Sequence, residues 1–309
     1  MEKVSIIIPT FNRKDMLVRC IDSVLSNTYN NFEIIISDDN SNDGTNIIIK
    51  KYLKNKKIKY LRNNKEMLLS YTINKAIKVS SGVFIFILDD DNVIDKNCIV
   101  NLVKSFKTHK NVGIVGPLAL YYSNKNIIMH VGAERSKFMR RAIYPYQNER
   151  WSNQVNEGKK VHDFLNAFML RKSIIKKVGM WDLLVPFMGE DGDVQARIRR
   201  LNYDIIINPS AITYHDIKYN PNVRYFIRLS NMRMYHVMHS KILYEYRYDN
   251  LTGKITFTLS LFAYILYYLF VIFNYSEKSI QRELVKNLFS GVIKGLKDAI
   301  MKRNQIEWL

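Results

Sequence analysis

Three groups of acids in this sequence are spaced for joint chemistry: Asp38 with Asp39, then Asp89, Asp90 and Asp91, then Glu190, Asp191 and Asp193. Carboxylates gathered in one place repel one another unless a cation or a proton relieves them. An oxygen-rich set suits Mg²⁺ or Mn²⁺, and Mg²⁺ characteristically takes one or two carboxylates together with a substrate phosphate. His215, in Thr213-Tyr214-His215-Asp216, offers a nitrogen ligand and tilts the choice toward Mn²⁺. Any one of these acids alone reads as an ordinary turn or cap residue. Their joint placement at strand ends asks for a chemical explanation.

The elements that must position them alternate. Residues 4–9, 32–37, 58–61 and 83–88 are short β-branched or apolar runs that read as strands. Residues 15–26 read as a helix with Met16, Leu17, Cys20, Ile21, Val24 and Leu25 on one face. Further helices are predicted over 45–53, capped by Asp43, and over 68–79. Such alternation predicts an α/β fold with a mainly parallel sheet and right-handed crossovers. Ligands of such sheets sit beyond the carboxyl ends of the strands. Residues 10–13, 38–43 and 89–91 all fall there. Residues 121–160 show little periodicity and read as a long loop over the site, with Arg135, Lys137, Arg140 and Arg141 as a basic stretch. A strand over 164–170, helices over 173–177 and 191–201, and a strand over 205–207 follow.

Composition narrows the class. With 309 residues the chain can bury a full core, and 47% hydrophobic with 24% charged residues excludes wholesale disorder. Cys20 and Cys98 cannot build a disulfide scaffold or a four-thiolate zinc site, which points to a reducing compartment. Lys and Arg number 47 against 28 acids, so the net charge is 47 − 28 = +19. That surface attracts nucleic acid, anionic lipid or phosphorylated substrates, unless it reflects only a Lys- and Asn-rich composition. The first residues carry no cleavage-site pattern, so no signal peptide is expected. No GxGxxG follows the first strand, and there is no P-loop lysine motif and no GxSxG elbow. Asp89-Asp90-Asp91-Asn92-Val93 fits a DxDxV aspartyl-phosphatase loop, but that loop opens the first strand of its domain, and here two strand–helix units precede it.

The tail changes character. Residues 255–276 carry no charge over 22 positions, enough to cross a bilayer. Residues 277–309 are amphipathic, with Ile280, Leu284, Leu288, Val292, Leu296 and Ile300 on one face. Their 5 Lys, 2 Arg and 4 acids give 7 − 4 = +3, and such a segment resists translocation. A monotopic arrangement is therefore expected, with 255–276 in or along the bilayer and the tail on the same face. Packing of 255–276 as a core or dimer helix is the soluble alternative.

In order along the chain, the motifs carry a resemblance. Residues 4–13, VSIIIPTFNR, resemble the opening of family 2 glycosyltransferases of the GT-A fold. Residues 38–45, DDNSNDGT, resemble their DDxSxDGT segment, and Asp89-Asp90-Asp91 their DxD metal motif. Gly179-Met180-Trp181-Asp182 and Glu190-Asp191-Gly192-Asp193 with Arg197 resemble the G-x-[FW]-D and EDxDxxxR patterns of the rhamnosyltransferase-like branch, as does Asn208-Pro209-Ser210-Ala211 running to His215. The family's usual Gly and Arg are absent from residues 64–74, where Asn74 keeps its place, and Gly192 stands where an aliphatic residue is usual.

The resemblance implies roles. Pro9, Thr10, Asn12, Arg13, Asp39, Asn74, Asp89 and Asp90 would bind a nucleoside-diphosphate sugar. Asp91, Asp89 and His215 would hold Mn²⁺ or Mg²⁺. Asp191 would be the base, with Glu190 second and on the acceptor side, and Trp181 would wall the acceptor. The implied reaction is metal-dependent, inverting transfer of a sugar from a UDP or dTDP donor to a hydroxyl of a glycan or lipid-linked acceptor. The implied location is the cytoplasmic face of the cell membrane, with no nucleic-acid partner and room for a homodimer. Residues 1–218 would be catalytic, with 1–118 the nucleotide-sugar half and 119–218 the acceptor half, and 219–309 a helical membrane-associating region. An Asp-dependent phosphatase and a non-catalytic basic binding protein are the alternatives. Two smaller signals stay open: Tyr121, Tyr122, Tyr144 and Tyr146 could line an acceptor groove, and His236 with His239 reads better as a packing pair than as a metal site.

Overall fold

Strands buried on both faces form the centre of the molecule. The computed structural model describes residues 1–136, 141–217, 219 and 230–301. β1 (Val4–Thr10), β2 (Phe32–Asp38) and β4 (Phe84–Leu88) are buried throughout, as their β-branched and aromatic content predicts. Alternate residues serve opposite layers. Ile6 and Ile8 pack with α1 (Lys14–Leu25), α2 (Thr45–Ile49) and α4 (Cys98–Thr108). Ile7 packs on the other side with α3 (Leu69–Val79), α5 (Lys172–Val178) and α6 (Glu190–Arg200).

Among the described residues the main sheet has the order β3-β2-β1-β4-β10-β6-β11-β5, with β7 beside β6. β3 is Ile58–Arg62, β5 Asn92–Ile94, β6 Val112–Tyr121, β7 Asn124–His130, β10 Ala167–Arg171 and β11 Asp204–His215. The fold is α/β with flanking helices, as the alternation predicts, but the sheet is mixed rather than mainly parallel. β1 to β4 are parallel, joined by short helical crossovers. β10 runs antiparallel to both β4 and β6, because the chain reaches its slot by a long excursion and not by a crossover helix.

That excursion corrects a second expectation. Residues 121–160 are not all loop: β7 forms a hairpin with β6, and β8 (Glu134–Arg135) pairs with β9 (Ala142–Ile143). Lys137 and Arg140 lie outside the described residues. Arg135 of the basic stretch is not a free surface cation, since it pairs with Glu245 and Asp249. The helix expected over 45–53 stops at Ile49, and a 3₁₀ turn over Tyr52–Lys54 follows.

Among the described residues three helices follow β11: α7 (Asn231–Tyr248), α8 (Leu251–Tyr275) and α9 (Lys278–Met301). Ser230 caps α7 through the backbone N–H of Arg233, and Asn250 caps α8 through that of Gly253. α9 returns alongside α7 at close range. A Cβ on Gly291 would fall 2.3 Å from the Tyr235 carbonyl oxygen, and one on Gly295 3.1 Å from the His239 Cα. α7 is in turn tied to the α/β body, with Arg247 donating to Asp182 (2.5 Å) and Asp193 (3.1 Å) and Tyr248 donating to Asp193 (2.6 Å).

Candidate active site

β4 is apolar to its last residue, and the chain then turns through Asp89-Asp90-Asp91 into β5. Asp90 points inward. It accepts from the Thr10 hydroxyl at 2.7 Å and from Arg13 Nη1 at 3.0 Å. Arg13 spans two acids, because the same nitrogen lies 2.8 Å from Asp91 Oδ2. The short antiparallel pairing of β5 with β11 sets His215 opposite Asn92 and carries its Nε2 to 3.3 Å from Asp91 Oδ1. Burial pushes the Asp90 carboxyl up to about 6, with Asp91 adding to the rise and Arg13 and Thr10 opposing it. Burial likewise holds the His215 imidazole below its ordinary pKa, against the pull of Asp91. Its neutral form is the one that ligates metal.

The second acid group sits one strand away. Asp39 follows β2, and its carboxylate collects donors from a single segment. Asn63 Nδ2 (2.7 Å) and the Met67 N–H (2.8 Å) reach Oδ1, and the Leu68 N–H (2.8 Å) reaches Oδ2. Leu68 has φ +67°, an uncommon conformation for a branched residue, which turns its N–H toward the acid. Asn12, at φ +52°, joins the two loops: its N–H donates to Ser41 Oγ (2.9 Å) and its Oδ1 accepts from the Asn42 N–H (2.8 Å). Pro9 lies within β1 opposite Ser37, and the Thr10 carbonyl accepts from the Asp39 N–H at 3.0 Å. Asn63, Met67 and Leu68 were not singled out from sequence; two of them act through backbone, which side-chain type does not announce.

The third group opens α6. Glu190, Asp191 and Asp193 occupy its first turn after Gly189, which has φ +130°. Asp193 turns away from the site, paired with Arg197 (3.0 Å), Arg247 and Tyr248. Arg197 also donates to the carbonyls of Val178, Gly179 and Met180 and so locks the segment before Trp181. Asp191 accepts from the Trp181 indole N–H at 3.0 Å. Burial, then Glu190, push the Asp191 carboxyl well up, and the Trp181 bond only partly offsets this. Asp89 is likewise pushed up by burial and then by Asp91, Asp191 and Asp90. The strand-end acids and the helix-start acids therefore share one electrostatic environment, although about a hundred residues separate them.

Two expected site residues are placed otherwise. Trp181 is fully buried, stacked on Phe168 with ring centroids 6.4 Å apart, so it presents no face to a sugar. Asn74, also fully buried, exchanges hydrogen bonds with the Trp181 backbone (2.7 and 2.9 Å), so its side-chain amide is already engaged within the protein. Both were assigned from motif position, and motif position does not reveal burial. Tyr121 is buried and donates to Asn148 Oδ1 at 2.8 Å. His239 pairs with Asp298 of α9 at 2.9 Å, a packing role.

The donor set can be tested against a divalent metal. Among the described residues no three His, Cys, Asp or Glu side chains stand in a preformed coordination sphere. Asp91 and His215 converge, Asp89 is within electrostatic reach, and the buried His215 Nδ1 has no partner. Two or three protein ligands of oxygen and nitrogen, with diphosphate oxygens completing the shell, fit Mn²⁺ or Mg²⁺.

Comparison with known proteins agrees with this geometry. Residues 5–179 match the family described as Glycosyl transferase family 2. Over 129 residues the chain is 36% identical to the UDP-Glc:alpha-D-GlcNAc-diphosphoundecaprenol beta-1,3-glucosyltransferase WfaP of Escherichia coli. That match covers 42% of this chain and 50% of the relative, so the chain spans about half the relative's length. The fold is shared with residues 1–349 of S. aureus TarS in complex with UDP-GlcNAc (TM-score 0.62, 16% identity, covering 96% of this chain and 82% of that one). It is shared as well with the mannosyltransferase PcManGT of Pyrobaculum calidifontis in complex with GDP-Man and Mn²⁺ (TM-score 0.56, 12% identity, covering 97% and 87%).

Proposed function

The chain belongs to glycosyl transferase family 2, and from that premise we propose that it moves a sugar, with inversion, from a UDP- or dTDP-sugar to a hydroxyl of a glycan or lipid-linked acceptor. One observation carries the reading: Thr10, Arg13 and His215 converge on Asp90 and Asp91 at the end of β4, and the charge of Asp191 at the start of α6 reaches Asp89 beside them. A donor held at the first acid group then has its anomeric carbon facing the second. UDP-GlcNAc and GDP-Man in structures of the same fold support a nucleotide sugar as donor, and the diphosphoundecaprenol acceptor named for WfaP supports a lipid-linked acceptor.

The residues divide the work. Pro9, Thr10, Asn12 and Asp39 frame the base. Asp89 meets the ribose or sugar, and Arg13, held by Asp90, faces the diphosphate. Asp91, His215 and Asp89 would hold Mn²⁺ or Mg²⁺, which when bound supplies positive charge to the departing diphosphate. Asp191 takes the proton of the acceptor hydroxyl as its oxygen attacks the anomeric carbon, and the bond to the diphosphate breaks with its electron pair leaving on phosphate oxygen. Glu190, whose Oε2 accepts from the Gly189 N–H at 2.9 Å, stands beside the base on the acceptor side. Burial first, and then the Glu190 charge, raise the Asp191 pKa, which strengthens it as a proton acceptor.

The division into 1–118, 119–218 and 219–309 follows the same logic, with the third part holding the enzyme at the cytoplasmic face of a membrane. Among the described residues α8 alone is long and apolar enough to cross a bilayer. Ile255, Leu259, Phe262, Leu266, Phe270 and Phe273 form an exposed stripe along it. A crossing would carry the C-terminal half of α9 away from α7, against the Gly291 and Gly295 contacts and the His239–Asp298 pair. An in-plane α8 keeps them. Joining of two copies through the stripe is the second reading, since the same apolar face could be covered that way.

The deciding experiment is thermal denaturation with UDP- and dTDP-sugars and Mn²⁺, followed by transfer assays on the stabilising donor. Asp191→Asn is expected to lose at least ~10²-fold in kcat while donor affinity stays near wild type. Phosphate release without an acceptor, or full activity of Asp191→Asn, would sink the proposal.

A further inference from the structure

We infer that Trp181 and Asn74 are positioning residues for the proposed base: the indole N–H of Trp181 fixes Oδ1 of Asp191, and Asn74 fixes Trp181. The inference rests on Asp191 as base and adds how that base is aimed.

The geometry is a chain of buried contacts. Trp181 Nε1 donates to Asp191 Oδ1 at 3.0 Å, and both residues are buried. No other described residue donates a side-chain hydrogen bond to this carboxylate, so Oδ2 is left for the acceptor hydroxyl. A carboxylate on a helix's first turn can rotate about its side-chain bonds, and one strong donor on a rigid ring removes that freedom. The ring cannot follow the carboxylate, because it is wedged against Phe168 and fully enclosed. Its backbone cannot slide either. Asn74 donates to the Trp181 carbonyl at 2.7 Å and accepts from the Trp181 N–H at 2.9 Å. Ser70, one turn earlier on α3, donates through Oγ to the Val185 carbonyl (2.7 Å) and through its N–H to the Pro186 carbonyl (3.1 Å).

α3 therefore has two jobs. Just before its start, Met67 and Leu68 hold Asp39 in the nucleotide half. Along its length, Ser70 and Asn74 hold the segment that carries Trp181 and thereby aim Asp191 in the acceptor half. When the hydroxyl is deprotonated, its O–H bond breaks, the proton goes to Oδ2, and Oδ1 keeps its bond to the indole throughout.

The test compares Trp181→Phe, Asn74→Ala and Asp191→Asn in donor-saturated transfer assays. Trp181→Phe keeps an aromatic ring and loses the N–H. It is expected to lower kcat about tenfold or more, with KM for the nucleotide sugar within about twofold of wild type. Asn74→Ala is expected to move kcat in the same direction by less. Added to Asp191→Asn, Trp181→Phe should cost little further, because the two act through one group. If Trp181→Phe does not fold, β-(3-benzothienyl)alanine at position 181, with sulfur replacing N–H in the same shape, gives the same readout. Wild-type kcat in a folded variant lacking the N–H overturns the positioning role, as does equal loss through donor KM. Full activity of Asp191→Asn instead overturns the base itself, which separates the two failures.

Discussion

At the residue scale the site is a balance of buried charge. Arg13 is a built-in cation beside Asp90 and Asp91, and those acids hold its pKa above the ordinary guanidinium value despite burial that acts the other way. Asp91 faces both Arg13 and His215, which makes it the acid whose loss should be felt most in ligand binding. Asp91→Ala is expected to abolish Mn²⁺-dependent nucleotide binding in calorimetry while leaving the melting temperature within a few degrees of wild type. Undiminished binding in EDTA would refute the ligand role. Glu33 makes a separate prediction at the far end of the sheet. Burial would raise its pKa, but hydrogen bonds from Ser5, Lys59 and Ser81 overcome it and bring the value to about 2. A carboxylate lowered in the folded state stabilises above its unfolded pKa, and that contribution is lost as pH falls through the folded value. Glu33→Gln should therefore destabilise the protein at neutral pH and flatten the loss of stability between about pH 4.5 and 2, as read from urea midpoints.

At the element scale two glycines on helices have opposite meanings. Gly291 lets α9 touch α7, since a Cβ there would meet the Tyr235 carbonyl oxygen at 2.3 Å. A backbone atom cannot yield as a side-chain tip can. Gly291→Ala is expected to destabilise by about 1–3 kcal/mol, despite the better helix propensity of alanine. Gly192, in the first turn of α6, has open space: the nearest neighbour of an added Cβ is Tyr244 Cε2 at 3.9 Å. Gly192→Ala should then stabilise by about 0.5–1 kcal/mol. Melting curves of the two single variants check both signs, and a melting temperature lowered by Gly192→Ala would contradict this account of α6.

At the scale of the whole molecule, the C-terminal helices are part of the body and also present an apolar face. Asp193 is the hinge of that union, because it satisfies Arg197 within α6 and Arg247 and Tyr248 from α7. Beyond that junction α8 exposes Leu259 at 78% and Phe262 at 68%, where a soluble surface would carry polar groups. Lys254 stands near one end of the stripe, and Lys278, Arg282 and Lys286 follow the other, a setting that suits an anionic leaflet. Replacing Leu259, Phe262 and Phe270 together by Glu is expected to move the protein from sedimenting anionic vesicles to the supernatant, with the fold intact by circular dichroism. Retention on vesicles with loss of a dimer in sedimentation velocity would favour the second-copy reading.

The sequence by itself determined much of the first half of the sheet. Short β-branched runs ending in acids fix strands and their loop ends locally, and β1, β2 and β4 follow directly from residues 4–9, 32–37 and 83–88. The acid groups and His215 were legible for the same reason: their chemistry is written in residue type and order. The tertiary structure decided what depends on partners distant in the chain. β10 is antiparallel because of its route, and residues 124–130 form a strand because β6 offers an edge, neither of which a local pattern encodes. Asp191 and Asp193 sit two positions apart in similar surroundings of sequence, yet Trp181 claims the first and Arg247 and Tyr248 the second. Nor could the apolar run from 255 onward announce its setting, since an uncharged helix reads alike in a core, a dimer or a bilayer. Only the packing of α9 on α7 left one face of α8 exposed.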